Sequence, residues 1–217
     1  MSSNTIELPL FPLNMVLFPG TVRPLHVFEP RYRQMVKDCL REDKLFGIVL
    51  LKEEAEGTHE EPYTVGTIAE IHNLNKLENG CYNLMAVGTK RFRIVSQHHE
   101  KPYLSGLVEP FTDAPEPDEL LDRYTVHLRR LFTTYLDMLL ETTDGKEVEA
   151  HLPAAPEDLS HFIAYILDMD DIYKQRYLEL TSTLERVRDE IDFLRREIPF
   201  MRQMLFKEPP KERIMLN

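Results

Sequence analysis

The amino-acid sequence predicts an α+β protein whose first part is mostly strand and whose second part is helical. Up to residue 113, short apolar runs are separated by turn signals such as Asn79-Gly80, a pattern typical of strands. Beyond residue 117, apolar residues recur at intervals of three and four, which is the period of an amphipathic helix. Three prolines between residues 110 and 117 separate the two patterns. We therefore predict domains over residues 1–113 and 118–207.

The strand segments of the first part follow one another with a single interruption. MVLF at 15–18 and FGIVLL at 46–51 are short apolar runs, which favour strands buried on both faces. VGTIAEIHNLNKL, ENG and CYNLMAV predict a hairpin, because Asn and Gly tolerate the positive φ of a tight turn. RFRIV alternates, with Phe92 and Ile94 on one face and Arg91 and Arg93 on the other, and YLSGLVEPF is a further strand.

The interruption is an early helix, and four more helical segments follow the prolines. Pro30 suits the first helical position. Its predicted apolar stripe is Tyr32, Met35, Val36, Cys39 and Leu40. The first later helix has the stripe Leu121, Tyr124, Leu128, Leu131, Tyr135 and Met138.

PEDLSHFIAYIL and DIYKQRYLEL predict two short helices, and a capping box at Ser182–Glu185 predicts the start of the last one. The stripe of that helix is Leu184, Val187, Ile191, Leu194, Ile198, Met201 and Leu205. Pro199 lies inside the stripe, so we expect a kink or an end near Arg195–Ile198.

The charge distribution favours neither nucleic acid nor a membrane as a partner. The chain has 26 Lys and Arg against 37 Asp and Glu, a formal net charge of −11. Residues 1–113 hold 12 basic and 15 acidic side chains, and the remainder holds 14 and 22. Such a surface repels the phosphates of nucleic acids and of anionic lipids.

The apolar opening stretch Leu8–Gly20 lacks the features of a targeting signal. No Lys or Arg precedes it, and its three prolines would break the helix that a signal or membrane segment needs. The two cysteines, Cys39 and Cys81, have no CxxC spacing and are expected to be buried thiols. The sequence therefore predicts a soluble, cytoplasmic protein.

No motif for catalysis or cofactor binding occurs in the sequence. The Gly-Lys pair at 145–146 lacks the Ser or Thr and the earlier Gly of a phosphate-binding loop, and neither GxSxG nor HExxH is present. The HHE sequence at 98–100 would point to opposite faces of a strand, which disfavours metal binding. His72 and His161 lie among apolar residues and are interpreted as core histidines. We expect no enzymatic activity, no cofactor and no metal.

HVFEPRYR at residues 26–33 is a concentrated group of charges and aromatics. Glu29 can pair with Arg31 or Arg33 at the start of the early helix, where a carboxylate also interacts well with the helix dipole. We interpret this group as an ion pair that fixes the helix to the sheet, and a binding role for Tyr32 or Arg33 is the alternative. The candidate cluster for polypeptide binding or for structure comprises Glu29, Arg31, Tyr32, Arg33, Arg91, Phe92 and Arg93.

LPLFPLNMVLFPGTVRPLHVFEPRYRQMV resembles the opening of the Lon protease N-terminal (substrate-binding) domain. VGTIAEI, LENGCYNLMAVG, KRFRIV and PYLSGLVEPF agree with that family in order, and KQRYLELTSTLERVRDEI looks like its downstream helices. Lon proteases continue into an ATPase and a Ser-Lys peptidase. This sequence has neither, as expected for a stand-alone Lon-domain protein.

The resemblance implies a PUA-like β pseudo-barrel followed by a C-terminal helical bundle. Prolines of the opening stretch would then lie at edge or turn positions, since they cannot donate to a ladder. The core of the barrel would be filled by Leu10, Phe11, Val16, Leu17 and Phe18.

The resemblance also implies a non-enzymatic module that binds unfolded or extended polypeptides and assists cytosolic protein quality control or proteolysis, with a cytosolic protease as a partner. Two alternatives remain open at this stage. One is an RNA-binding PUA-like protein that uses the Arg and aromatic residues of the candidate cluster together with Lys90. The other is a regulatory domain that binds a small ligand.

Overall fold

The computed structural model of the chain describes residues 5–52, 61–141 and 152–207. These residues form six strands and five helices, which confirms the predicted α+β class. The strands are β1 (Ile6–Leu13), β2 (Val22–Val27), β3 (Leu45–Leu51), β4 (Pro62–Lys76), β5 (Tyr82–His98) and β6 (Ser105–Phe111). The helices are α1 (Pro30–Cys39), α2 (Asp118–Glu141), α3 (Pro156–Ile166), α4 (Asp171–Glu179) and α5 (Thr183–Lys207). Within the described ranges, none of these helices has both the length and the apolar character needed to cross a bilayer.

The strands form one mixed sheet in the order β2-β5-β4-β3-β1-β6. An additional pairing between β5 and β6 joins five of the strands into a ring and leaves β2 paired with β5. β1 and β3 run parallel, and the other pairs are antiparallel. Among the described strands β2 has β5 as its one neighbour, so β2 is the edge strand of the sheet.

The first strand differs from the sequence-based prediction. Residues 15–18 are not a strand, and Pro9 and Pro12 lie inside β1. The two halves of β1 have different partners, because Ile6–Pro9 pairs with β6 and Leu10–Leu13 pairs with β3. Each half of β1 is therefore hydrogen-bonded to a neighbouring strand on one side only. A proline is tolerated where its nitrogen faces the other side, because it has no N–H to donate.

The segment that follows β1 is buried without being a strand. Gly20 donates its N–H to the carbonyl of Gly88 on β5 at 2.9 Å, and Gly88 donates back to Thr21 at 2.9 Å. A Cβ placed on Gly88 would lie 2.3 Å from the carbonyl oxygen of Phe18, so the approach requires glycine. Residues 16–18 are buried beside these irregular backbone contacts. The prediction of a strand at 15–18 is wrong, because an apolar run alone does not distinguish a buried strand from a buried irregular segment.

The predicted core of the first part is confirmed. None of the five predicted core residues in the opening stretch is more than 6% exposed. Helix α1 begins at Pro30 and packs against this core, with the ring centroids of Phe11 and Tyr32 4.2 Å apart. The residues that α1 buries are Tyr32, Met35, Val36 and Cys39, as the apolar stripe predicted.

The helices do not form one continuous domain. Of the described residues, those up to Pro115 and Leu152–Thr183 form one compact unit, and those within 116–151 and 184–217 form the other. Helices α3 and α4 thus belong with the sheet, which differs from the predicted division at 113/118. The physical reason is an apolar cluster in which Phe18 and Val65 of the sheet part pack with Leu178 of α4. Periodicity identifies such helices but does not state which surface they cover.

The second unit contains α2 and α5. The buried face of α2 is Thr125, Leu128, Phe132, Tyr135 and Met138, which shares three residues with the predicted stripe. The buried apolar stripe of α5 is Leu184, Val187, Ile191, Leu194 and Ile198, as predicted. The predicted Met201 is half-buried, and the predicted Leu205 has its side chain outside the described residues. α5 continues through Pro199 to Lys207, so of the predicted kink or end near Arg195–Ile198 the end is wrong. Pro199 is exposed, and water can therefore solvate the carbonyl that it leaves without a donor.

Candidate functional site

The charged part of the predicted cluster is a half-exposed ion pair. Arg31 Nε donates to Glu29 Oε2 at 2.9 Å, and the two side chains are 37% and 41% exposed. Arg31 also lies over the ring of Tyr32, with 4.5 Å between the guanidinium carbon and the centroid. The pair lies at the start of α1, where the structural interpretation places it. It is half-exposed, however, whereas an ion pair that fixes the helix to the sheet would be buried.

The neighbouring residues of this group serve the fold. Tyr32 is 4% exposed and belongs to the core. Arg33 is half-buried over the turn before β5, where Gly80 has a φ of +78°. A Cβ on Gly80 would lie 2.5 Å from Arg33 Nη2. These side chains are neighbours in the sequence, but in the structure they contact different parts of the fold.

Arg91, predicted on the same face of the strand as Arg93, is buried. It is 2% exposed and forms an ion pair with Asp113, which follows β6. Its guanidinium also donates to the carbonyls of Leu178 and Leu180 at the end of α4, and it lies 4.7 Å from the Phe111 ring centroid. Arg91 therefore joins three chain segments of the first unit. Alternation alone could not predict this role, because the partners come from 22 and nearly 90 residues away.

The other two residues of that group also separate. Phe92 is fully buried, whereas Arg93 is exposed and also lies over Phe111, 5.0 Å from the ring centroid. RNA recognition by stacking would need exposed aromatic residues. Because Tyr32, Arg91 and Phe92 are buried, the cluster does not form the basic-aromatic patch that the RNA-binding alternative requires.

The edge strand β2 carries an exposed apolar surface that the sequence did not identify. Val22 is 42% exposed, and Phe28, which directly follows the strand, is 61% exposed. Pro24 and His26 lie on the same side because side chains alternate along a strand, and both are exposed. We call these four residues the β2 face. Solvent-exposed apolar groups on an unpaired sheet edge are typical of protein-binding surfaces.

A groove of about 440 Å³ lies beside the β2 face. It occurs where the register between β4 and β5 shifts between His72 and Asn75, which is a β-bulge. Asn73 in this bulge has a φ of +47°, in the left-handed region that Asn tolerates better than most residues. We call this the β2 groove, and its lining is Pro24, Leu25, His26, Asn73, Asn83, Leu84 and Met85.

The polar side chains of the groove are partly ordered by each other. His26 Nδ1 lies 2.6 Å from Asn83 Oδ1, and the His26 ring stacks on Phe28 with centroids 6.0 Å apart. His72, predicted as a core histidine, is instead exposed beside the bulge and lies 3.5 Å from Glu70. His161 is buried against Phe18, in agreement with its prediction.

The beginning of β2 contacts the helices of the same unit. The Tyr165 hydroxyl donates to the carbonyl of Val22 at 3.2 Å, and Lys174 Nζ donates to the carbonyl of Tyr165 at 3.1 Å. Burial, together with the charge of Arg23, holds the pKa of Lys174 below its ordinary value, although Asp171 and Asp168 oppose the shift. This end of the edge is occupied, so the available part of β2 runs from Pro24 onward.

A hydroxyl–imidazole–carboxylate chain lies on the sheet surface. Ser96 Oγ is 3.1 Å from His98 Nε2, and His98 Nδ1 is 3.0 Å from Glu7 Oε1. The imidazole is 36% and the carboxylate 49% exposed, so water competes for both bonds. A serine-hydrolase triad depends on a buried carboxylate. We therefore interpret these hydrogen bonds of Ser96, His98 and Glu7 as a link between β5 and β1.

The described residues contain no group of three or more His, Cys, Asp or Glu side chains that could hold a metal ion. Sequence reasoning missed β2 because Pro24 and the charged Arg23 interrupt the strand pattern. The signal that could have indicated it is the alternation of Val22, Pro24, His26 and Phe28 with Leu25 and Val27.

The chain matches a known family over most of its length. Residues 7–196 match the family model of the ATP-dependent protease La (LON) substrate-binding domain. Lon protease 2 of Sorangium cellulosum is 30% identical over 210 residues, which cover 93% of this chain and 26% of that protein. The Lon protease of Anaeromyxobacter dehalogenans is 28% identical over 194 residues, which cover 88% of this chain and 23% of that protein. The chain thus spans about a quarter of the length of these relatives.

Solved structures agree with this fold. A Lon N-terminal domain protein from Xanthomonas campestris has a TM-score of 0.60 at 24% identity and covers 94% of this chain and 99% of its own. The N-terminal domain of the Mycobacterium avium complex Lon protease has a TM-score of 0.63 at 18% identity and covers 88% and 98%. At these identities the likeness establishes the fold and nothing more specific.

Proposed function

The chain belongs to the LON substrate-binding domain family, and from that premise we propose that it is a polypeptide-binding module without catalytic activity of its own. The observation that carries the proposal is the β2 face, an exposed apolar surface on the edge strand of the sheet. An extended polypeptide can place apolar side chains on such a surface and pair its main chain with the free edge.

The biological role that follows is assistance to cytosolic protein quality control or proteolysis. In this role unfolded or extended polypeptides are the ligands, and a cytosolic protease is the partner that receives them. The family relationship supports both parts, because the relatives are named as Lon proteases. A cytoplasmic location and a PUA-like classification of the strand ring are part of the same proposal.

Binding at this surface is expected to be weak and tolerant of sequence. Strand pairing uses main-chain groups that every polypeptide has, and the β2 face is small and open. Ordering a flexible ligand has an entropic cost that offsets much of the contact energy. We expect dissociation constants of roughly micromolar or higher.

The test is a fluorescence titration of a reduced and alkylated, permanently unfolded protein and of its native form. We expect the unfolded form to bind and the native form not to bind. Phe28→Ala should weaken binding severalfold, because it removes a large exposed aromatic group from the β2 face. Phe200→Ala is the matched control, since Phe200 is a similarly exposed phenylalanine (56% against 61%) on α5 of the other unit. Equal effects of the two variants, or no binding of any unfolded chain, would contradict the proposal.

A further inference from the structure

We propose that the β2 groove recognises the main-chain amides of an extended, uncharged polypeptide segment through the side-chain amides of Asn73 and Asn83, while an apolar side chain of that segment enters the groove. This inference rests on the proposed function and deepens it. It assigns a site, a mode of recognition and a class of ligand.

The groove exists because of a backbone irregularity. A regular ladder between β4 and β5 would continue past His72, but the register shifts there and leaves Asn73 in the left-handed region. Bulges of this kind redirect side chains and are frequent beside functional sites. The bulge brings a β4 side chain to the same groove as the edge strand β2, which is separated from β4 by β5.

The lining has no carboxylate, ammonium or guanidinium group. Its apolar members are Pro24, Leu25, Leu84 and Met85, and its polar members are the two asparagines and His26. A charged side chain entering the groove would lose hydration without meeting an opposite charge, which is unfavourable. An apolar side chain flanked by peptide groups fits this lining.

Side-chain amides are suited to peptide groups because each offers a carbonyl oxygen and two N–H donors. Asn83 Oδ1 can only accept, so the contact at 2.6 Å requires His26 Nδ1 to donate its proton. This bond uses the oxygen of Asn83 and leaves its two N–H groups for the carbonyl of a ligand. Asn73 is exposed and lines the same groove, so its side-chain amide is also available to a ligand main chain.

The net charge of the protein indicates which residues should flank the apolar part of the ligand. With a net charge of −11, the protein attracts segments that carry Lys or Arg beside the apolar position, and this attraction weakens with salt. We therefore expect the ligand to be an extended segment with one or more bulky apolar side chains, uncharged at the groove and basic at its flanks.

The experiment uses the full chain and a nine-residue peptide with a central Val-Phe-Val, flanked by Gly, Ser and terminal Lys residues. A second peptide has N-methyl groups on the three central amides, which alter main-chain pairing while keeping the side chains. The variants are Asn83→Ala and Asn73→Gly, the latter because Gly adopts positive φ without strain. Gln97→Ala is the control, an exposed amide at the other end of β5.

We expect N-methylation to weaken binding to the wild-type protein roughly three- to tenfold, the size of one or two lost hydrogen bonds. The same factor should fall toward one in Asn73→Gly, which removes an amide oxygen that can accept from the ligand N–H groups, and should be unchanged in Gln97→Ala. Asn83→Ala should weaken binding of both peptides by a similar factor, because the Asn83 N–H groups donate to ligand carbonyls, which N-methylation keeps. An unchanged factor in Asn73→Gly together with unchanged affinities in Asn83→Ala would overturn the inference while the proposed function stands. If the wild-type protein binds neither peptide nor any unfolded chain, the proposed function itself fails.

Discussion

Two ion pairs of the chain differ in burial, and this difference sets their contributions to stability. Glu29 and Arg31 are both more than a third exposed, whereas Arg91 and Asp113 are 1% and 5% exposed in their side chains. Exposed pairs contribute little because water screens them, and a buried charge that loses its partner is strongly unfavourable.

We expect Glu29→Ala to lower the free energy of unfolding by less than about 1 kcal/mol. Asp113→Ala should lower it by about 3 kcal/mol, because Arg91 would remain charged and buried with the half-buried Glu157 carboxylate, 3.6 Å away, as its nearest acidic partner. Urea titrations of the two variants, read by circular dichroism, measure both values. A loss above about 2 kcal/mol for Glu29→Ala would mean that this pair is more buried in solution than its exposure indicates.

Cys39 gives a second expectation for a single residue. Burial, with the carboxylates of Glu42 and Asp38 nearby, raises the pKa of the Cys39 thiol to about 12. The thiolate is the reactive form, so Cys39 should resist iodoacetamide at pH 8 in the folded protein and react fully in guanidinium chloride. Peptide mapping by mass spectrometry identifies the modified residue. Modification of Cys39 at the unfolded rate under native conditions would contradict its burial.

Pro199 affects the stability of one element, helix α5. A proline inside a helix removes one hydrogen bond and crowds the preceding turn, at a cost of about 3 kcal/mol in a helix interior. Pro199→Ala should therefore stabilise the end of α5, and amide exchange in residues 199–204 should slow by tenfold or more. Faster exchange after the substitution would show that α5 does not continue regularly through this position.

The elements themselves were predictable from sequence to different degrees. The hairpin at Asn79-Gly80, helix α1 and helices α3 and α4 follow from turn chemistry and periodicity, and all of them are present. The strand status of β1 and β2 was not predictable. A proline in a sequence argues against a strand, because it cannot donate to the hydrogen bonds of a sheet. Whether it is tolerated depends on which strands pair on each side, and tertiary contacts determine that pairing.

The candidate site was less predictable than the fold for a related reason. The sequence groups residues by neighbourhood, so Glu29 to Arg33 and Arg91 to Arg93 are predicted as one candidate cluster for polypeptide binding or for structure. The structure separates them because burial of Arg91 and Phe92 depends on segments far along the chain. The β2 groove combines residues from β2, β4 and β5, and a bulge is not visible as a pattern in any one of them.

For the whole molecule, the absence of a phosphate-binding loop and of a nucleophile motif in the sequence leads to a negative expectation. The purified chain should show no ATP hydrolysis and no cleavage of casein above a buffer control. Ser96→Ala is the informative variant, because Ser96 belongs to the hydroxyl–imidazole–carboxylate chain on the sheet surface. Hydrolysis by the wild-type protein that disappears in this variant would contradict the non-enzymatic interpretation.

The central claim is that this chain binds unfolded polypeptides through apolar contacts, assisted by its negative charge. The most direct measurement is an array of peptides that differ in apolar and charged content, probed with the labelled protein at low and high salt. We expect peptides with apolar residues beside Lys or Arg to bind best and to lose signal at high salt, since the charge of −11 attracts them and salt screens that attraction. Equal binding of acidic polar peptides, or no binding of any peptide at either salt concentration, would contradict the claim.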